Sequence, residues 1–301
     1  LVCYSLIACR GNRRGRSLTY DEEDRLLTVG NAIYEYDGGG FLKKKTDGSD
    51  VTEYAYSSRG ELLSVTLPDG TLIQYVHDPL GRRIVKKVNG VVTEKYLRQG
   101  LTRLLAVYDG NDALLMRFDY ADARMPFAMT MGGATYYLAY DQVGSLRVVA
   151  DGSGVVVKKI EYDSFGNVVG DSNENFTVPF GFAGGLYDKD TKLVRFGYRD
   201  YDPDTGRWTA KDPIGFNGGD TDLYGYCVND PINHFIDIFM LALAPKDDVR
   251  LSALNILHEQ GFWLSGEEIG KARFLLKSHN KECPNDSVIE ILGELLNSLE
   301  E

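Results

Sequence analysis

The sequence predicts a mainly β fold: a spiralling strip of antiparallel β-hairpins, followed by a small α-helical C-terminal module. Three observations predict it. A short pattern recurs, as YAYSSRGEL at 54–62, QYVHDPLGR at 74–82, LAYDQVGSL at 138–146 and IEYDSFGNV at 160–168. Glycine (33 residues) and tyrosine (19) are both abundant, the mix that short aromatic strands joined by many turns require. Helical periodicity is nearly absent before residue 240 and appears after Pro245.

Taken in order, residues 1–17 read as an N-terminal linker or fragment end. Leu1 to Ala8 is apolar but short, with no basic region before it, and makes a poor signal peptide. The basic run Arg10 to Arg16 reads as a solvated linker. The chain opens on Leu rather than Met, which fits a processed chain or a piece of a longer one.

Residues 18–184 read as the hairpin region. The frame is an aromatic or apolar residue, a short polar turn, Gly, a polar residue, then another apolar one. Tyr36-Asp37, Tyr108-Asp109, Tyr140-Asp141 and Tyr162-Asp163 carry a Tyr-Asp pair, and Gly60, Gly81, Gly144 and Gly166 take the turn position. Alternation in 71–76 and 155–162 predicts strands. Asp69-Gly70, Asp109-Gly110 and Asp151-Gly152 predict tight turns, because Gly and Asp tolerate positive φ. One hairpin alone is barely stable in water, so consecutive hairpins are expected to pair edge to edge into one sheet.

Residues 185–240 form a denser segment of Tyr-Asp pairs, Asp-Pro steps and Gly-Gly turns. It contains Tyr201-Asp202-Pro203, Gly206-Arg207-Trp208, Asp212-Pro213-Ile214-Gly215-Phe216, Gly218-Gly219-Asp220, Leu223-Tyr224-Gly225-Tyr226 and Asn229-Asp230-Pro231. These positions closely resemble the core that ends the repeat region of Rhs (YD-repeat) proteins. The resemblance covers roughly residues 18–240 and implies a shell of hairpins that encloses a variable, often toxic C-terminal tip. It also implies partners: the chain's own tip, an upstream part of the shell and a secretion machinery. It implies a secreted or cell-surface location.

Residues 241–301 read as that tip, with about three short helices. Val249, Ala253, Ile256 and Leu257 share one face. Ser265 with Glu268 fits a capping box before Ile269, Ala272 and Leu276. Val288, Leu292, Leu295 and Leu299 make a third stripe after Pro284. Six Lys and Arg against eleven Asp and Glu give the tip a net charge of −5, which disfavours a nuclease.

The resemblance further implies an aspartic autoprotease. Asp212 matches the first catalytic Asp, Asp237 the second, and Arg207 the nearby cation; cleavage would follow Leu241. Two carboxylates sharing a proton would split the work, one activating water and the other protonating the leaving amine. The sequence departs from the family's Asp-Pro-x-Gly-Leu motif at Ile238 and Met240, which replace the residues that fix backbone direction and permit unusual φ. Read on their own, Asp212-Pro213 is an ordinary turn start, and Arg207 and Trp208 can pack and pair within the shell, Arg over an aromatic face.

A net charge of −11 excludes a general nucleic-acid binder. Cys3, Cys9, Cys227 and Cys283, and His77, His234, His258 and His279, show no metal-ligand spacing, and no cofactor is called for. No apolar run is long enough for a membrane span. A non-catalytic surface scaffold that binds carbohydrate or a neighbouring cell, or an inactive remnant, are the alternative readings.

Overall fold

A computed structural model of the chain describes residues 16–100, 103–121, 125–213, 215–218 and 221–226. The expected helical tip, Asp237 and Leu241 lie outside the described residues. Sixteen strands form one antiparallel sheet in unbroken sequence order. They are β1 Leu18–Tyr20, β2 Leu26–Val29, β3 Ala32–Tyr36, β4 Leu42–Asp47, β5 Asp50–Tyr56, β6 Leu62–Thr66, β7 Leu72–His77 and β8 Arg83–Val88. There follow β9 Val91–Gln99, β10 Arg103–Tyr108, β11 Leu114–Asp119, β12 Ala128–Met131, β13 Ala134–Tyr140, β14 Leu146–Asp151, β15 Val156–Tyr162 and β16 Val168–Asp171. A second sheet of four strands holds β17 Leu186–Tyr187, β18 Val194–Phe196, β19 Arg199–Asp202 and β20 Arg207–Trp208.

The Tyr-Asp turn has one local cause. In the Asp141 turn the carboxylate Oδ1 accepts the Val143 and Ser145 amides at 3.1 and 2.9 Å. The main chain closes the same loop, with the Gly144 amide donating to the Asp141 carbonyl at 2.9 Å. Asp21, Asp37, Asp78, Asp109 and Asp163 repeat this geometry, and at residue 57 a serine hydroxyl replaces the carboxylate. The aspartate therefore supplies a side-chain substitute for the ladder bonds that the turn lacks. None of the three expected Asp-Gly turns is of the two-residue type; the Asp69-Gly70 turn closes from Leu67 to Thr71. Asp109 and Asp151 open longer loops of this same kind, and positive φ falls at Asp112 (66°) and Gly154 (84°) rather than at Gly110 or Gly152.

The tyrosine before each turn marks a slip in register. Pairing shifts at Tyr20, Tyr36, Tyr56, His77, Tyr108, Tyr140 and Tyr162. Each slip leaves one unpaired residue on the following strand, among them Leu27, Leu63, Leu115 and Val169, all exposed hydrophobics. A bulge of this kind kinks the strand and raises its twist. It also breaks simple alternation, so residues three apart both face inward: Leu26 with Val29, Leu62 with Val65, Leu146 with Val149.

Since every strand pairs with its sequence neighbours, odd-to-even turns lie along one margin of the strip and even-to-odd turns along the other. The first margin is fastened to the core segment and to residues 180–184, which lead into it. The Tyr224 hydroxyl donates to the Gly40 carbonyl at 2.7 Å, Arg195 to the Gly81 carbonyl at 3.3 Å, and the Ala183 amide to Ser145 Oγ at 3.0 Å. The Tyr201 hydroxyl donates to the Phe165 carbonyl at 2.8 Å. Gly166, at φ +87°, lies so close that a Cβ there would stand 2.3 Å from the Phe182 ring. Along the second margin Gly48, Gly70, Gly90 and Gly154 face open space. The Tyr108-Asp109 pair sits on that free margin, which its sequence does not distinguish from the others.

Candidate functional site: the docking face of the core segment

The core segment has its own aromatic centre. Tyr201, Trp208, Tyr226 and Phe182 are buried together, with Tyr201 and Tyr226 ring centroids 4.4 Å apart and Trp208 edge-on to Tyr226 at 5.2 Å. Phe180, just ahead of the segment, joins the cluster under β10–β15, and Leu193 of the segment joins Leu62, Val65, Ile73 and Tyr75. The segment thus covers the inward face of the strip with apolar surface. That burial is its main source of adhesion.

In β2, β6 and β14 the two inward positions after the turn are buried aliphatics, Leu26 with Val29, Leu62 with Val65 and Leu146 with Val149. In β8 the same two positions are Arg83 and Lys86, both buried. Three core-segment aspartates answer them. Arg83 Nη2 donates to Asp200 Oδ1 at 2.8 Å, while Arg195 Nη1 takes the other oxygen at 2.6 Å. Lys86 Nζ donates to Asp188 Oδ1 at 2.8 Å and to Asp190 at 2.6 Å, and the Tyr75 hydroxyl donates to Asp188 Oδ2 at 2.7 Å. The Arg83 guanidinium also lies over the Tyr75 ring at 3.5 Å.

The electrostatics keep these pairs charged. Burial alone would raise the Asp200 carboxyl, but Arg83 and Arg195 outweigh it and hold it below its ordinary value. Burial acts against Asp188 in the same sense, and Lys86 with the Tyr75 hydroxyl reverses it. Arg98, whose Nε donates to the Arg83 carbonyl at 3.0 Å, is pushed down to about 10 by burial and then by Arg195 and Arg83. Sequence reasoning missed Arg83, Lys86, Asp188 and Asp200. The available signal was Arg83 and Lys86 standing where sister repeats carry Leu and Val.

His77 belongs to the same face. It holds the position that tyrosine takes at Tyr20, Tyr36, Tyr56, Tyr108, Tyr140 and Tyr162, and both its ring nitrogens are buried without a hydrogen-bond partner. Burial first, then Arg195 and Arg83, push its pKa down to about 4; Asp200 and Glu61 oppose this only weakly. The unfolded chain binds the proton near pH 6.5 and the folded chain does not, so stability falls as pH drops from about 6.5 to about 4. Allowing for partial exposure, the expected loss is about 2 kcal/mol across that window. Urea midpoints measured between pH 7 and pH 4 check this. His77→Tyr is expected to flatten the slope, and an unchanged slope contradicts the assignment.

The residues that family resemblance singled out are placed as follows. Asp212 is nearly buried and pairs with Arg199, Nη2 to Oδ2 at 3.2 Å, and its own amide donates to the Leu223 carbonyl at 2.9 Å. Arg207 is committed elsewhere. Its Nη1 and Nη2 grip Asp222 bidentately at 2.8 and 2.6 Å, and Nη2 also donates to the Asp24 carbonyl at 2.8 Å. The Tyr20 ring lies 5.0 Å from the guanidinium. This matches the packing-and-pairing reading of Arg207. Trp208 is buried under the Arg199 guanidinium, 4.0 Å from its ring centroid. Asp237 and Leu241 lie outside the described residues. Among the described residues no group of His, Cys, Asp and Glu is arranged to hold a metal ion, and no helix is long and apolar enough to cross a membrane.

The Teneurin YD-shell family model matches residues 5–232. This chain belongs to the Teneurin YD-shell family. It is 34% identical over 236 residues to Teneurin-3 of Danio rerio, covering 73% of this chain and 8% of that protein. It is 33% identical over 236 residues to Teneurin-1 of Homo sapiens and 32% identical over 228 residues to Teneurin-m of Drosophila melanogaster, again over 8% of each. The YD-shell chain thus spans about 8% of the length of these curated relatives. Among solved structures it overlaps the Photorhabdus luminescens Tc holotoxin pore at 16% identity and a TM-score of 0.45, covering 72% of this chain and 15% of that one. It overlaps a TcdB2-TccC3 complex lacking its hypervariable C-terminal region at 14% identity and a TM-score of 0.32, covering 72% of this chain and 18% of that one. The Rhs (YD-repeat) likeness read from the residues and the family model agree, and the coarse role is that of a shell or scaffold segment.

Proposed function

We propose that this YD-shell chain is a stretch of shell wall carrying its own lock, and that it sequesters the C-terminal tip, 241–301, outside the producing cell. The observation that carries this reading is the fastened margin. The core segment, with the residues that lead into it, bonds turn after turn along the same side of a strip of marginal hairpins, and seats Asp200 on Arg83 and Asp188 with Asp190 on Lys86. Further strands upstream would complete the wall, and a secretion machinery would deliver it.

Self-cleavage after Leu241 by Asp212 and Asp237 is a second reading. What favours it is Asp212 itself, immobilised in a turn and ion-paired with Arg199. Arg207 then serves the site indirectly, by holding Asp222 and the chain around it.

The full chain tests both readings together. Purified and incubated under native conditions, it is expected to yield a fragment ending near Leu241 that stays associated with its tip, and Asp212→Asn or Asp237→Asn is expected to leave one band. An intact parent band removes self-cleavage and leaves a non-catalytic scaffold. A tip that added protease digests as fast in the full chain as in a free 241–301 peptide removes sequestration.

A further inference from the structure

Asn175-Phe176-Thr177 is an Asn-x-Thr acceptor sequence with a residue other than proline between its ends. It lies in the loop that follows β16, beyond the last main-chain pairing of that strand with β15 at Ser172. Three asparagines crowd this stretch and two are spent on structure. Asn167 donates from Nδ2 to the Pro203 carbonyl at 2.8 Å, and Asn173 donates to the Val157 carbonyl at 3.2 Å. Asn175 is exposed in a turn, and the loop is anchored beneath it: the Phe176 ring meets Tyr136 edge-on, with centroids 5.0 Å apart. An exposed Asn beside a fixed neighbour presents its amide to solvent without any rearrangement of the sheet.

We propose that Asn175 carries an N-linked oligosaccharide. The donor is a polyisoprenyl-diphosphate-linked oligosaccharide, and an oligosaccharyl transferase catalyses the transfer. The Asn175 amide nitrogen bonds to the anomeric carbon, the bond from that carbon to the diphosphate oxygen breaks, the polyisoprenyl diphosphate leaves, and the amide gives up one proton. The Thr177 hydroxyl is the recognition element two residues on. The proposal rests on the extracellular placement proposed above, because the reaction takes place on the lumenal side of a secretory membrane. The chain holds one other acceptor sequence, Asn285-Asp286-Ser287, outside the described residues.

The test is to express the full chain in animal cells behind an added secretory leader and to follow its gel mobility before and after glycosidase treatment. The leader brings the chain to the lumen whatever its own export route, so a missing glycan counts against the site and not against the placement. Export is read separately, as release into the medium when the leader is omitted. Glycosidase is expected to increase the mobility of the parent, of Asn285→Gln and of Thr177→Ser. That shift is expected to be lost in Asn175→Gln and Thr177→Ala. Peptide mass spectrometry is expected to find aspartate at the acceptor position after enzymatic removal, which needs no variant to fold. A parent without a shift, or a shift that survives Asn175→Gln and disappears in Asn285→Gln, overturns the proposal.

Discussion

Asp200→Ala is expected to lower stability by about 3–5 kcal/mol, because it leaves two buried guanidiniums without their shared counter-ion. Arg83, Arg195 and Asp200 are all almost fully covered, at 4%, 2% and 1% side-chain exposure, so water cannot replace the lost carboxylate. For a chain of this size that loss moves the melting temperature by roughly 10 °C. The variant is also expected to expose the core segment to protease, since Arg83 belongs to the strip while Arg195 and Asp200 belong to the segment. Asp204→Ala is the control. Asp204 pairs with Arg16 at 2.8 Å and Lys45 at 3.5 Å, but each partner is about a quarter to a third exposed. Its loss is expected to stay within about 1 kcal/mol. Replacing all three buried charges together, as Arg83→Met, Arg195→Met and Asp200→Leu, is expected to recover much of the loss, because the desolvation penalty goes with the pair. Chemical denaturation of the four proteins decides the matter. An Asp200→Ala midpoint equal to that of Asp204→Ala shows that the face is held by apolar burial alone.

Much of this architecture could be read from residue order. The Tyr-Asp turns announce themselves because one side chain makes a complete local motif, with every partner within four residues. Neighbour-to-neighbour pairing follows from the same repeats, since each hairpin needs the next to cover its edge. The bulges were not legible. A one-residue slip at each tyrosine mixes a period of two with a spacing of three, so Leu27 and Leu63 look like core positions in sequence and stand exposed in the fold. The left-handed residues at Asp112 and Gly154 were hidden for a related reason: Asp-Gly dipeptides suggest a two-residue turn, and only the loop length shows otherwise. The docking face was less visible still. Arg83 meets Asp200 across 117 positions and Lys86 meets Asp188 across 102, and no local rule links residues so far apart. What could be seen is the anomaly at one end of each pair, an Arg and a Lys in the register where β2, β6 and β14 carry aliphatics. Arg207 is a further long-range case. The resemblance implied a cation near the acid pair, and no local rule pointed to Asp222 as its ion-pair partner.

That pairing makes Arg207→Ala the second large expected effect and a means of separating structure from chemistry. The guanidinium joins three parts of the molecule: Asp222 of the core segment through two short bonds, the Asp24 carbonyl of the first turn, and the Tyr20 ring of β1. Burial alone would lower its pKa, yet Asp222 outweighs burial and raises it, so the charge persists and needs its partner. Truncation is expected to cost about 3–5 kcal/mol, and Asp222→Ala about as much, because each strands the other's buried charge. The double variant is expected to cost clearly less than the sum of the two singles, the signature of residues in direct contact. Arg207→Lys is expected to rescue little, since an ammonium cannot present two parallel donors to Asp222 while keeping a third bond to Asp24. Hydrogen exchange locates the damage: faster exchange in 18–29 is expected, because that first hairpin loses its tie to the core segment. A residue that served only an acid pair near Leu241 would behave in the reverse way. Its loss would leave the midpoint and the exchange of 18–29 untouched and stop scission instead, and that result would return Arg207 to the chemistry and take it out of the lock.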